Sequence, residues 1–201
     1  MDLTRAIDQI AAIRQQMARA ETFGGYRAIS TGLSGLIALV TAGVHEWFFQ
    51  ARNVYDVGTY LMLWYGAAML SMMVVGLEMA WRLRKSQSSL QKDLTLAAVE
   101  QFLPFIVAGF LLTIVFVRFN YDEIWMLPPL WMILFGLGIH ASRRVLPRFS
   151  SMIAGFYMMA GLAVLAARHD ATLHAFTMGG VFGAGQLLAA GLLAYQERHH
   201  V

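Results

Sequence analysis

Cysteine is absent from the 201 residues. Disulfides, thiolate metal sites and cysteine nucleophiles are therefore excluded. Charge is nearly as scarce: Asp, Glu, Lys and Arg make up 13% of the chain and apolar residues 58%. Soluble domains carry roughly 25% charge, so this chain has too few charged groups to clothe a water-facing surface. The formal net charge of +3 is small and scattered and gives no reason to expect direct nucleic-acid binding. Hydrolase signatures are lacking too: there is no H-E-x-x-H, no G-x-S-x-G, and no Ser–His–Asp set at one membrane depth. The opening M-D-L-T-R-A-I-D-Q-I has no basic start, no continuous apolar stretch and no small-residue cleavage site. It does not read as a signal peptide.

What the chain has in quantity is long apolar sequence. Six runs recur, at 29–49, 57–81, 96–117, 124–142, 151–167 and 175–195. Each is near the ~20 residues that cross a ~30 Å hydrocarbon core. In lipid the backbone polar groups must pair internally, so runs of this kind are helices. The expected fold class is all-α integral membrane, with six transmembrane helices. Residues 1–28 form a separate unit. Leu3, Ile7, Ile10 and Met17 share one face, opposite Arg5, Asp8, Gln15, Arg19 and Glu21, which predicts an N-terminal amphipathic helix. The domain plan is thus 1–28, a cytoplasmic amphipathic helix, and 29–201, a six-helix transmembrane bundle.

Loop charge sets the orientation. Arg5, Arg14, Arg19, Arg27, Arg82, Arg84, Lys85, Lys92, Arg143, Arg144, Arg148 and Arg198 fall on one side, and only Arg52, Arg118 and Arg168 on the other. Twelve against three predicts cytoplasmic N- and C-termini in a bacterial inner (plasma) membrane. Trp47, Tyr55, Trp81, Tyr121 and Trp125 sit near the expected interfaces, as an aromatic belt does.

The run G179-G-V-F-G183-A-G185 has no strand before it and lies inside a span, so it is not a dinucleotide loop. Gly179 and Gly183 are spaced for close helix packing of the small-xxx-small kind. Gly136, Gly138, Gly155 and Gly161 are expected to serve similarly. The 13 Met include the adjacent pairs Met72-Met73 and Met158-Met159. Neighbours on a helix point ~100° apart, so the pairs are no ready copper chelate and read as apolar filler. Pro104 suits a first turn or a kink, and Pro128-Pro129 the true start of the fourth helix.

Ionisable and amide groups inside the spans carry the functional argument. The deduced orientation puts Glu78, Glu100 and His140 at one depth near the cytoplasmic end, with Gln101 beside Glu100. Two carboxylates and an imidazole can share a proton or hold a divalent ion. The plain alternative is that Glu78 pairs with Arg82 at i+4. Gln186, near the middle of the last span, is expected to hydrogen-bond another helix. His45, Glu46, His169 and His174 form a weaker outer metal candidate without a recognised ligand spacing.

The segments I13-R-Q-Q-M-A-R-A-E-T-F23, L130-W-M-I-L-F-G-L-G138 and F182-G-A-G-Q-L-L-A-A190 resemble an uncharacterised family of small bacterial multi-span (six-helix) membrane proteins. Members of that group often accompany a small winged-helix regulator, which implies a sensing or regulatory role. The resemblance carries over no catalytic residue. The expected function is a non-enzymatic multi-pass membrane protein that binds or senses a proton, ion or small ligand and couples it to a cytoplasmic partner. A small ion- or proton-coupled transporter or channel is the alternative. A haem or redox role is disfavoured because His45 and His140 lie near opposite faces. No cofactor is strongly implied. Expected partners are the lipid bilayer, a soluble cytoplasmic protein and a second copy of the chain.

Overall fold

The computed structural model describes residues 28–52, 56–85, 89–167 and 174–199. The amphipathic helix expected over 1–28 lies outside these, apart from Ala28. So does His169. The described residues are almost wholly helical and include no strand. The helices are α1 (Ala28–Arg52), α2 (Val57–Lys85), α3 (Ser89–Phe119), α4 (Leu127–Ala141), α5 (Ser150–Ala167) and α6 (Ala175–His199). Short 3₁₀ turns, Tyr121–Met126 and Ser142–Arg144, flank α4. Six helical segments are long and apolar enough to cross a membrane, the architecture of a multi-pass transmembrane protein. With its 15 residues, α4 spans only ~22 Å at 1.5 Å per residue. It reaches crossing length with its 3₁₀ turns, as the segment Tyr121–Arg144.

The basic segment between the second and third spans, expected as a loop, is mostly helix. Arg82, Arg84 and Lys85 form the last turn of α2, where cations complement the partial negative charge of the helix end. The Lys85 ammonium lies 3.8 Å above the Trp81 ring. At the other end of α2, Asp56 caps the helix. Its carboxylate accepts from the Thr59 hydroxyl (2.8 Å) and from the Thr59 and Gly58 N–H groups (2.9 and 3.2 Å). The Thr59 hydroxyl first, then the two amides, hold this carboxyl below its ordinary pKa.

The six helices pack in sequence order around a ring, and α1 closes it against α6 in the most extensive contact of the fold. The α4–α5 contact is next, followed by α3–α4 and α1–α2. Between α2 and α3 there is no comparable contact. The ring is therefore C-shaped, with a seam between two helices that are consecutive in the chain.

Glycine explains where the ring is tight. A Cβ on Gly179 would collide with Ala42 of α1 and stand 3.0 Å from the Ala38 carbonyl. One on Gly183 would meet Leu39 at 2.6 Å. Gly185 faces the other way and is covered by the Tyr157 ring of α5. The glycine run on α6 thus seats two neighbouring helices, and the close approach at Gly179 and Gly183 is the one their spacing predicts. Gly136 and Gly161 do the same for α4 and α5: added Cβ atoms would lie 2.8 Å from the Ala154 and Pro129 carbonyls. Gly138 receives Phe102 of α3. Gly155 does not fit the expectation, since its Cβ position is open.

Rings fill the space beyond the close contacts. Phe135 of α4 stands edge-on to Phe102, Tyr157 and Phe182, with centroids 5.4, 4.8 and 5.4 Å away. One ring thereby ties α3, α5 and α6 to α4, each pair contributing about 0.5–1.5 kcal/mol beyond burial. The Tyr157 hydroxyl donates to the Phe182 carbonyl at 3.3 Å. Pro128 and Pro129 are fully buried at the start of α4, the role the sequence suggests. Pro104 is not a first-turn residue. The third helix begins at Ser89, so Pro104 lies in its interior. A proline there cannot donate to the carbonyl of Glu100, four residues earlier.

Candidate functional site

A cavity of about 500 Å³ occupies the middle of the C. Its lining mixes small residues with rings. Ser34 and Ala38 of α1, Ala67, Ala68 and Ser71 of α2, and Gly109 of α3 leave room. Rings such as Trp64, Phe105, Phe110, Trp131 and Phe182 form much of the remaining wall. Helix α5 contributes nothing to the lining. Among the described residues, no Asp, Glu, Lys, Arg or His lines the cavity. Exposed lining residues such as Met69, Met72, Val107 and Phe110 belong to α2 and α3, so the open side is the seam between them.

One end of the seam is tied. The Thr113 hydroxyl of α3 accepts from the Tyr65 hydroxyl of α2 (2.7 Å) and from the Trp131 ring N–H of α4 (3.2 Å), and donates to the Gly109 carbonyl (2.8 Å). Three helices thus share one buried hydroxyl. The Tyr65 ring also meets Trp131 and Phe110 edge-on, with centroids 5.5 and 6.3 Å away. Sequence reasoning missed this group. A lone Thr and Tyr in apolar runs give no signal until their helices are known to face each other.

Gln186 is 8% exposed and lines the cavity. The sequence predicts a hydrogen bond from it to another helix. Among the described residues its amide makes none. The neighbouring α1 surface offers Gly35, whose added Cβ would stand 3.0 Å from the Gln186 Cβ. Packing that close leaves the amide facing the cavity. Gln101 is half-buried on α3 outside the cavity lining, and its carbonyl oxygen is sequestered without a hydrogen-bond partner among the described residues.

The ionisable candidates lie elsewhere. Glu78 pairs with Arg82 at 3.5 Å, one turn along the same helix. Glu100 is exposed on α3, and His140 is half-buried in the last turn of α4. No group of three His, Asp or Glu able to hold a metal forms among the described residues. Glu78, Glu100 and His140 are therefore not assembled into a metal centre. The same holds for His45, Glu46 and His174. His45 is 2% exposed, edge-on to Tyr60 at 5.2 Å, and within electrostatic reach of Glu46 and His174. It belongs to the packed end where α1 meets the start of α2, with Tyr60 and Trp64 (centroids 6.2 Å apart) beyond it.

No family model, curated protein or solved structure matches the chain. The functional reading therefore stands on the fold and the cavity.

Proposed function

We propose that the chain is a non-enzymatic, multi-pass protein of the bacterial inner membrane that binds a small lipid-soluble molecule in the cavity between its helices. Occupancy is coupled to a cytoplasmic partner through the basic ends of α2 and α3. Both termini face the cytoplasm, in keeping with the asymmetry of Lys and Arg. The observation that carries the reading is the cavity itself. Its 500 Å³ fall within the range of ligand pockets, roughly 300–1,000 Å³. Its wall is apolar and its open side is the α2–α3 seam, so a lipid-soluble molecule can both enter and fill it.

The transporter reading draws less support. A proton or cation path needs ionisable groups along it. The carboxylates Glu78 and Glu100 stand off the cavity, and Glu78 is held by Arg82. Organic extraction of the purified protein tests the proposal. Mass spectrometry is expected to find a lipid-soluble small molecule with the wild type that is lost from Ala68→Trp, which fills the cavity. Proteoliposomes are expected to hold a pH gradient as well as protein-free vesicles do. A steady proton flux abolished by Glu78→Gln or Glu100→Gln would move the assignment to the transporter. Single cysteines at Asn120 and Arg143 check the orientation. An impermeant maleimide should label intact spheroplasts only at Asn120.

A further inference from the structure

The chemistry of the cavity wall narrows the occupant, and this step rests on the binding role proposed above. Charge is the first discriminator. With no Asp, Glu, Lys, Arg or His in the lining among the described residues, an ionised ligand would be buried without a counter-charge from them, a large cost in a low-dielectric interior. The occupant is neutral. Shape is the second. Phe105, Phe110, Trp131 and Phe182 share the lining with the small residues Ala67, Ala68 and Gly109. A wall rich in rings favours flat, ring-bearing molecules that stack on them or meet them edge-on.

Gln186 is the third and most specific. A side-chain amide carries two N–H donors and a carbonyl acceptor. This amide is nearly buried in the middle of a span, lines the cavity, and makes no hydrogen bond to a described residue. Ser34, on the adjoining wall, gives its hydroxyl proton to the Thr31 carbonyl at 2.7 Å and has none left to donate. An alkyl chain would leave the Gln186 donors unsatisfied. A carbonyl oxygen on the ligand accepts from one of them. We propose that the cavity holds a neutral, ring-bearing molecule with a carbonyl group, its oxygen accepting from the Gln186 amide, and that the molecule reaches the cavity from the bilayer through the seam between α2 and α3.

Benzophenone tests the proposal directly. It is neutral, has two rings and one carbonyl, and inserts into nearby C–H bonds on irradiation. The full chain in phosphatidylcholine nanodiscs is labelled, and the adducts are mapped by mass spectrometry. Diphenylmethane, which has the same rings without the carbonyl, serves as competitor. Adducts are expected on the half-buried part of the cavity wall, at Phe105, Leu134 or Phe182. Gln186→Leu should weaken benzophenone binding about fivefold, the effect of one net hydrogen bond. Diphenylmethane should compete equally well in wild type and variant, which also shows that the variant cavity is intact. If Gln186→Leu leaves benzophenone binding unchanged, or weakens both compounds alike, the carbonyl assignment is overturned while binding in the cavity stands. If adducts scatter over the lipid-facing surfaces of α2 and α3 with none in the cavity, as when a bilayer acyl chain fills it, both the assignment and the binding role fail.

Discussion

Helices α1 and α6 differ from α2 and α3 in how much of each is covered by the rest of the protein. In α1 and α6, 39% of the most apolar window is buried inside the bundle, against 17% in α2 and 11% in α3. Yet α3 has the most apolar window of the six, with a mean hydropathy of 2.3. Hydropathy therefore does not decide which helices pack, because lipid is as good a home for Leu or Phe as a neighbouring helix. Backbone approach decides it. The α1–α6 contact is built on Gly179 and Gly183, whereas Gly66 and Gly76 of α2 have nothing near their Cβ positions.

The sharpest way to break this contrast is to put the same kind of side chain into both regions. Gly179→Val should cost about 3 kcal/mol or more, since Ala42 and the Ala38 backbone leave no room. Gly66→Val should change stability by no more than about 0.5 kcal/mol. Unfolding in mixed SDS micelles reads both, and equal losses would show that glycine packing is not what separates the regions. A smaller effect is expected where the loose pair is tied. Thr113→Val removes the acceptor shared by Tyr65 and Trp131 and should cost about 1–2 kcal/mol. It should also increase the distance between spin labels placed on α2 and α3, while labels on α1 and α6 stay unmoved. The smallest change is local. Because the Asp56 carboxyl has a lowered pKa in the folded chain, its cap is complete above the unfolded value of about 3.9. The cap is lost as the pH falls through the lower folded value. Hydrogen exchange of the Gly58 and Thr59 amides should quicken over that window relative to the other helix ends, and Asp56→Ala should remove the pH dependence.

The spans were legible because twenty apolar residues have few other uses. The role of the α6 glycines was legible because spacing alone puts Gly179 and Gly183 on one side. Their orientation was not: Gly185, two residues on, serves α5 instead, and Gly180 serves no neighbour. Pro128-Pro129 marked a helix start because a missing N–H is tolerated there, while Pro104 gave no such unique reading. The cavity was illegible. In water, a polar face shows which side of a helix is outside. In lipid both sides are apolar, so Ala67, Ala68 and Ser71 look the same whether they meet a ligand, a helix or a lipid tail. Gln186 was recognised as the deep polar group, but that it lines a cavity was not. Glu78 and Glu100 drew attention as rare charges, and the i+4 pairing of Glu78 with Arg82 was the plainer alternative.

The uneven support of α2 has a mechanical consequence. Its buried residues are Tyr60 and Trp64, with the Asp56 cap before them and the Tyr65–Thr113 bond just after. From there to Lys85 the helix runs another ~30 Å with no fully buried side chain. Such a member is a cantilever, clamped in its first third and loaded along the rest. Under the proposed binding role, a ligand pressing on Ala68 or Met72 would turn the arm about its clamp, with the displacement greatest at its tip, where Arg82, Arg84 and Lys85 stand.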